Sequence, residues 1–242
     1  MTYTEIYLVA GAFLLAAYLK GITGLGFSTV SLPMLSLFLD HKLAMPLVLL
    51  PSLCSNIMVI ANSGRIKEAI RKHWLLIVAP VPGLLGGLLL LGVLESNVCR
   101  VVLGAILMVF VFWELKRRGH WIPPGWLEAP VGVVTGLVNG VTGSQMMPLI
   151  PYLVMRRMER EFFVVVINLS FTFSSLIMLA GLRAHQFLTV EIFTVSAFGI
   201  LPVGFGIWLG SLVRRRMKVN HYRKVVLFSL LIIGLTLILK DI

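Results

Sequence analysis

The sequence predicts an all-α protein: a polytopic transmembrane helical bundle of two inverted repeats, each opening with a Gly/Pro-broken segment followed by three spans. Three observations carry that prediction: the apolar composition, the length of the apolar runs, and an internal repeat at nearly constant offset. Of 242 residues, 58% are hydrophobic and 13% charged, with a mean hydropathy of +0.97. A soluble domain needs a mostly wettable surface and cannot hide so much apolar area, whereas lipid covers it. Residues 6–19, 43–61, 74–94, 101–113, 162–182, 192–213 and 225–239 carry almost no charge, and several approach the roughly 20 residues that cross a bilayer as helix. The runs lack the alternation of barrel strands, so helices must satisfy the backbone internally.

The repeat places Gly21 and Pro33 against Gly136 and Pro148, and Gly64 against Gly181. Gly83, Gly87 and Arg100 fall against Gly206, Gly210 and Arg223. The halves are residues 1–118 and 119–242, divided in the polar stretch 116–124. Glu5 and the absence of a basic residue before the first apolar run predict a retained segment, not a cleaved signal peptide. That opening segment, residues 5–39, would be about 52 Å long as one helix, far more than a bilayer needs. Glycine releases the backbone, and the break is written at Gly21, Gly24 and Gly26. The second opening segment, residues 127–154, breaks at Asn139, Gly140 and Gly143.

Charge tests this topology. If each opening segment counts as an even number of crossings, each half is odd and the halves are inverted. One face then collects Arg65, Lys67, Arg71, Lys72, Lys116, Arg117, Arg118, Arg156, Arg157, Arg160, Arg214, Arg215, Arg216, Lys218, Arg223 and Lys224. The other keeps Lys42, Arg100, Arg183 and Lys240. Single crossings leave no bias. The positive-inside rule therefore selects broken opening segments and puts both termini outside. The net charge of +11 is thus read as topology and as contact with anionic lipid headgroups, with no nucleic-acid partner. Cys54 and Cys99 read as small buried hydrophobes.

Discontinuous opening helices in inverted repeats place a transporter's substrate near the midplane, where irregular backbone must line a cavity or be packed in protein. The candidate site residues are Lys20, Gly21, Thr23, Gly24, Gly26, Ser28, Asn56, Gly136, Asn139, Gly140, Thr142, Gly143, Ser144, Gln145 and Asn168. Close helix packing is the alternative for the glycines, helix tethering for the asparagines, and snorkelling to an interface for Lys20. Gly83, Gly87, Gly206 and Gly210, in ordinary spans, read as packing residues. Helices that restart inside the membrane aim free N–H groups and a positive dipole end at the cavity. No Asp or Glu sits well inside a span, so the ligand expected is a small anion.

Other functions fit less well. His41, His73, His120, His185 and His221 lie in loops or at span ends, and no nucleophile set or metal cluster is visible, so no enzyme and no cofactor are expected. No phosphate-binding Gly-x-x-x-x-Gly-Lys-Ser/Thr loop occurs, and no embedded proton relay is apparent. A channel remains an alternative, as do other small organic acids; a scaffold leaves the two breaks unexplained. A homo-oligomer is open.

The motifs Gly24-Leu25-Gly26-Phe27-Ser28-Thr29-Val30-Ser31-Leu32-Pro33 and Gly136-Leu137-Val138-Asn139-Gly140-Val141-Thr142-Gly143-Ser144-Gln145-Met146-Met147-Pro148 carry a resemblance. With Gly64-Arg65-Ile66 after the second span, the chain resembles the sulfite exporter (TauE/SafE-type) family of membrane permeases over essentially its whole length. Phe27 and Ser28 stand where glycines are common in that family. The resemblance implies export of sulfur-containing anions, such as sulfite or organosulfonates, across a bacterial inner membrane.

Overall fold

The computed structural model describes residues 3–24, 26–61, 64–116, 122–214 and 219–239. Every regular element among them is helical. The first half opens with α1 (Tyr3–Thr23) and α2 (Phe27–Ser36), followed by α3 (His41–Ala61). A jointed span of α4 (Ile66–Val78) and α5 (Pro80–Val93) comes next, then α6 (Ser96–Lys116). The second half repeats this order. A 3₁₀ turn at Gly125–Leu127 leads into α7 (Glu128–Thr142) and α8 (Leu149–Met155), then α9 (Arg160–Ala184). The jointed span is α10 (Val190–Phe198) with α11 (Ile200–Arg214), and α12 (Val219–Leu239) closes the chain.

Six helical stretches are long and apolar enough to cross a membrane: Thr4–Ile22, His41–Ala61, Ile66–Val93, Ser96–Lys116, Glu161–Ala184 and Val190–Val213. Their outward faces carry exposed Leu89, Val93, Phe198, Leu201 and Trp208, the apolar cover that lipid requires.

Two breaks interrupt the opening segments, each held open by glycine. Gly24 and Gly26 adopt φ of 80° and 86°, and Gly143 adopts 69°, a region that Cβ-bearing residues rarely enter. After the first break the chain doubles back, bringing the Phe27 ring within 5.6 Å of Phe13. The second segment also returns to the end of the bundle where it began. Tyr152 Oη donates to the Pro124 carbonyl at 3.4 Å, and Arg156 Nη1 donates to that of Pro123 at 3.0 Å. Helix α7, with 15 residues, is about 22 Å long, short of a roughly 30 Å hydrocarbon core.

Contacts between the halves organise the core. Helices α3 and α9 pack together, α1 lies along α11, α7 lies along α5, and α6 meets α12. The α7–α5 and α1–α11 seams are glycine seams. A Cβ on Gly83 would fall 1.9 Å from the Val133 carbonyl oxygen, and one on Gly136 1.9 Å from that of Pro80. Gly140 meets Gly87, Gly21 meets Ile207 and Gly210, and Gly206 meets Ala17. Both pairs run parallel, and small residues let the backbones touch.

The polar ends sort into two groups. Arg65 pairs with Glu159 at 2.5 Å, at the end that holds Pro123, Pro124 and Arg156. Ser96 donates to Asp40 at 2.7 Å, and Lys42 lies 5.5 Å from the Phe187 ring. Of the charge count, Arg117, Arg118, Arg215, Arg216, Lys218 and Lys240 lie outside the described residues.

The seams give a direct test. Gly136→Ala forces α7 away from Pro80 and should destabilise by about 1–3 kcal/mol, a melting temperature lower by several degrees in detergent. Gly92→Ala, with open space around its Cα, should melt with the parent protein. Equal melting of both variants would refute close packing at this seam.

Candidate functional site

The first break is built around a buried lysine. Lys20 is 2% exposed, in the last turn of α1, and its Nζ donates to Ser55 Oγ at 2.9 Å and to Asn56 Oδ1 on α3. It forms no ion pair among the described residues. The backbone of the break is tied locally and from the other half. Gly24 N donates to the Lys20 carbonyl at 2.6 Å. From α9, Asn168 Nδ2 donates to the Gly24 carbonyl at 3.2 Å and to that of Val164 at 2.7 Å. Gly26 then starts α2 with no side-chain cap, so the N terminus of that helix keeps unclaimed N–H groups.

One helical turn along α3 from Ser55, Ser52 lines a cavity of about 20 Å³, room for about one water. Its walls come from both halves. Ser28 at the start of α2 and Ser52 on α3 face Asn139 and Gly143 of α7, Gln145 beyond the second break, and Ser175 on α9. Leu32, Met45, Val48, Leu49 and Met178 complete it. Several buried polar atoms here have no hydrogen-bond partner: Asn139 Nδ2, Gln145 Oε1 and Ser144 Oγ, and near the first break Asn56 Nδ2 and Asn168 Oδ1. Such atoms are costly in a low-dielectric interior unless something bonds them.

The family model of the sulfite exporter TauE/SafE matches residues 9–237. The chain belongs to that family. Comparisons with curated proteins and with solved structures return no match. As a TauE/SafE member the protein is a membrane transporter, and the two polar groups just described lie where its opening helices break.

Within this TauE/SafE protein twelve of the fifteen sequence candidates fall into three sets. Lys20, Gly24, Asn56 and Asn168 assemble at the first break. Ser28, Asn139, Gly143 and Gln145 line the cavity, and buried Ser144 sits beside them. Gly21, Gly136 and Gly140 sit in the glycine seams, where a Cβ would strike neighbouring backbone. Thr142 Oγ1 donates to the Val138 carbonyl at 2.7 Å and accepts from Ser144 N at 3.2 Å, closing α7. Gly26 supplies the left-handed start of α2. The side chain of Thr23 lies outside the described residues. After the second break the chain resumes only as the seven-residue α8, so the uncapped N terminus nearest the cavity is that of α2.

Two features escape the sequence reading. Ser52 and Ser175 are lone hydroxyls in apolar helices, and their spacing from Asn56 and Asn168 is the only hint of a shared face. His73 and Glu128 read as span-end residues, yet both are buried, at 7% and 6% exposure, and paired at 2.7 Å. Both lie near an end of their own segment, as the sequence reading has them; what that reading did not show is that contact of α4 with α7 buries them as a pair.

Burying an ammonium among neutral oxygens costs stability. Lys20→Met, of similar length, should therefore raise the melting temperature by a few degrees in detergent. A fall of similar size would mean that the Lys20 hydrogen bonds stabilise the fold rather than strain it.

Proposed function

We propose that this TauE/SafE transporter is a secondary exporter of small anions, sulfite or organosulfonates, working by alternating access at its two breaks. The observation that carries the reading is Lys20, a buried lysine held by Ser55 and Asn56 without an acidic partner among the described residues. A site of that kind favours an anion and rejects a cation. Asn139 Nδ2 and the hydroxyls of Ser28, Ser52 and Ser175 supply hydrogen-bond donors along the same core, and the start of α2 adds its dipole. The donors are neutral apart from Lys20, which suits a weakly held cargo that must be released.

The cavity, with room for about one water, is too small for sulfite in this conformation. Access requires the α1–α11 and α5–α7 pairs to move against α3 and α9. We further propose that the halves are inverted repeats with both termini outside, in the bacterial inner membrane. The matched order of elements and the return of the α7–α8 segment to its own end support that topology. So do the basic residues gathered around Arg65, Arg156 and Glu159, a face suited to anionic lipid headgroups.

Purified protein in liposomes should take up labelled sulfite saturably, with competition by sulfoacetate and acceleration by unlabelled substrate on the far side. Lys20→Gln and Asn139→Leu should each cut the rate about tenfold or more, equivalent to about 1.4 kcal/mol, while eluting as folded protein. Flux that neither saturates nor responds to trans substrate would indicate a channel. Folded parent protein that moves no sulfur anion under any imposed gradient would end the sulfur assignment.

A further inference from the structure

The His73–Glu128 pair has no role in the anion site, and its construction is unusual for a purely structural contact. His73 interrupts α4 with φ −129° and ψ 30°, and its Nδ1 lies 2.7 Å from Glu128 Oε1 in the first turn of α7. Each half of the protein contributes one member. The Phe162 ring of α9 covers the imidazole at 5.8 Å, so three helices enclose the pair.

The surrounding charges are engaged elsewhere. Arg65 binds Glu68 and Glu159, and Lys72 binds Glu68; both cations stand over the Phe162 ring, at 4.5 and 5.9 Å. Arg156 donates to the Pro123 carbonyl and Tyr152 to that of Pro124. Tyr152 lies within electrostatic reach of both Glu128 and Arg156, while Lys67 and Arg71 on α4 are exposed. Among the described residues, His73 is the one side chain hydrogen-bonded to Glu128.

We propose that the His73–Glu128 pair is a proton-binding site that couples anion movement to a proton. The inference rests on the anion-transporter reading above and adds the co-substrate. Without the proton the pair is a neutral imidazole and a carboxylate, net −1, buried at one end of the transport core. With it the pair is an imidazolium and a carboxylate, net zero. An anion approaching that end is repelled in the first state and not in the second, so proton and anion favour each other's binding, reciprocally. Helix α7 carries both sites: Asn139 follows Glu128 by eleven residues, about 16 Å along the axis. A dianion moving with one proton still carries net negative charge, so an inside-negative potential favours its outward movement while an acid-outside pH gradient opposes it.

Sulfoacetate is the probe for the test, because its groups stay ionised between about pH 6 and pH 8 and carry no titrating proton of their own. Proteoliposomes are assayed two ways: exchange of labelled for unlabelled sulfoacetate at equal pH, and accumulation driven by an acid-outside gradient. The parent should do both, with proton uptake following the anion. His73→Gln and Glu128→Gln should keep exchange within about twofold and lose accumulation about tenfold. Exchange without a gradient response in the parent sinks the coupling proposal alone. Variants that keep gradient-driven accumulation sink it too, as do variants that lose exchange and accumulation together, which would make the pair a structural clamp. A parent that exchanges no sulfur anion sinks the anion reading and this inference with it.

Discussion

In hydrocarbon, a backbone N–H or carbonyl without a partner has no water to fall back on. That constraint governs where this protein can break its helices and what must stand beside each break. At the first, Gly24 N bonds within α1 and the Gly24 carbonyl is taken by Asn168 from the other half. At the second, Gly143 N bonds the Asn139 carbonyl and Ser144 N the hydroxyl of Thr142. Polar side chains are drawn to the breaks to meet the backbone. Their remaining capacity, Asn168 Oδ1, Asn139 Nδ2 and Ser144 Oγ, is unmet by protein. The same requirement that holds the breaks together therefore leaves hydrogen-bonding atoms for a ligand.

How far this was legible in the sequence depends on what each residue answers to. Apolar run length answers only to the bilayer, so helices and breaks could be read directly. Gly24, Gly26 and Gly143 were readable as breaks because only glycine accepts their positive φ without strain. Gly21, Gly136 and Gly140 belong to the same motifs yet serve the seams. Sequence spacing cannot distinguish a glycine needed for its backbone angle from one needed because another helix lies against it. Asn56 and Asn168 stood out because an amide in an apolar span demands a partner. Ser52 and Ser175 did not, since a serine can satisfy itself by bonding back to its own helix, and only the meeting of α3 with α9 turns them toward one cavity. His73 and Glu128 are 55 residues apart, and nothing local in either segment announces the other.

The seams bear on how such a protein could move. Each joins the opening helix of one half to the jointed span of the other, α1 to α11 and α7 to α5. Backbones in contact through glycine cannot slide without clashing, because there is no side chain to change rotamer and absorb the shift. Each pair is thus a rigid unit drawn from both halves. On the proposed mechanism, the units rock against α3 and α9, and neither half can change state alone.

This arrangement also explains why a charged pair at the start of α7 can matter to a cavity near its end. Asn139 and Glu128 are on one helix, and that helix is locked to α5 by Gly136 against Pro80 and Gly140 against Gly87. A change in how tightly Glu128 is held by His73 cannot be absorbed by bending within the seam. On the proposed coupling it is passed to the far end of α7, where Asn139 and Gly143 line the cavity. The kink at His73 lies within α4, seven residues before Pro80 opens α5. On the proposed coupling, a proton at that position acts through the electrostatics of the path and through the helix that carries both sites.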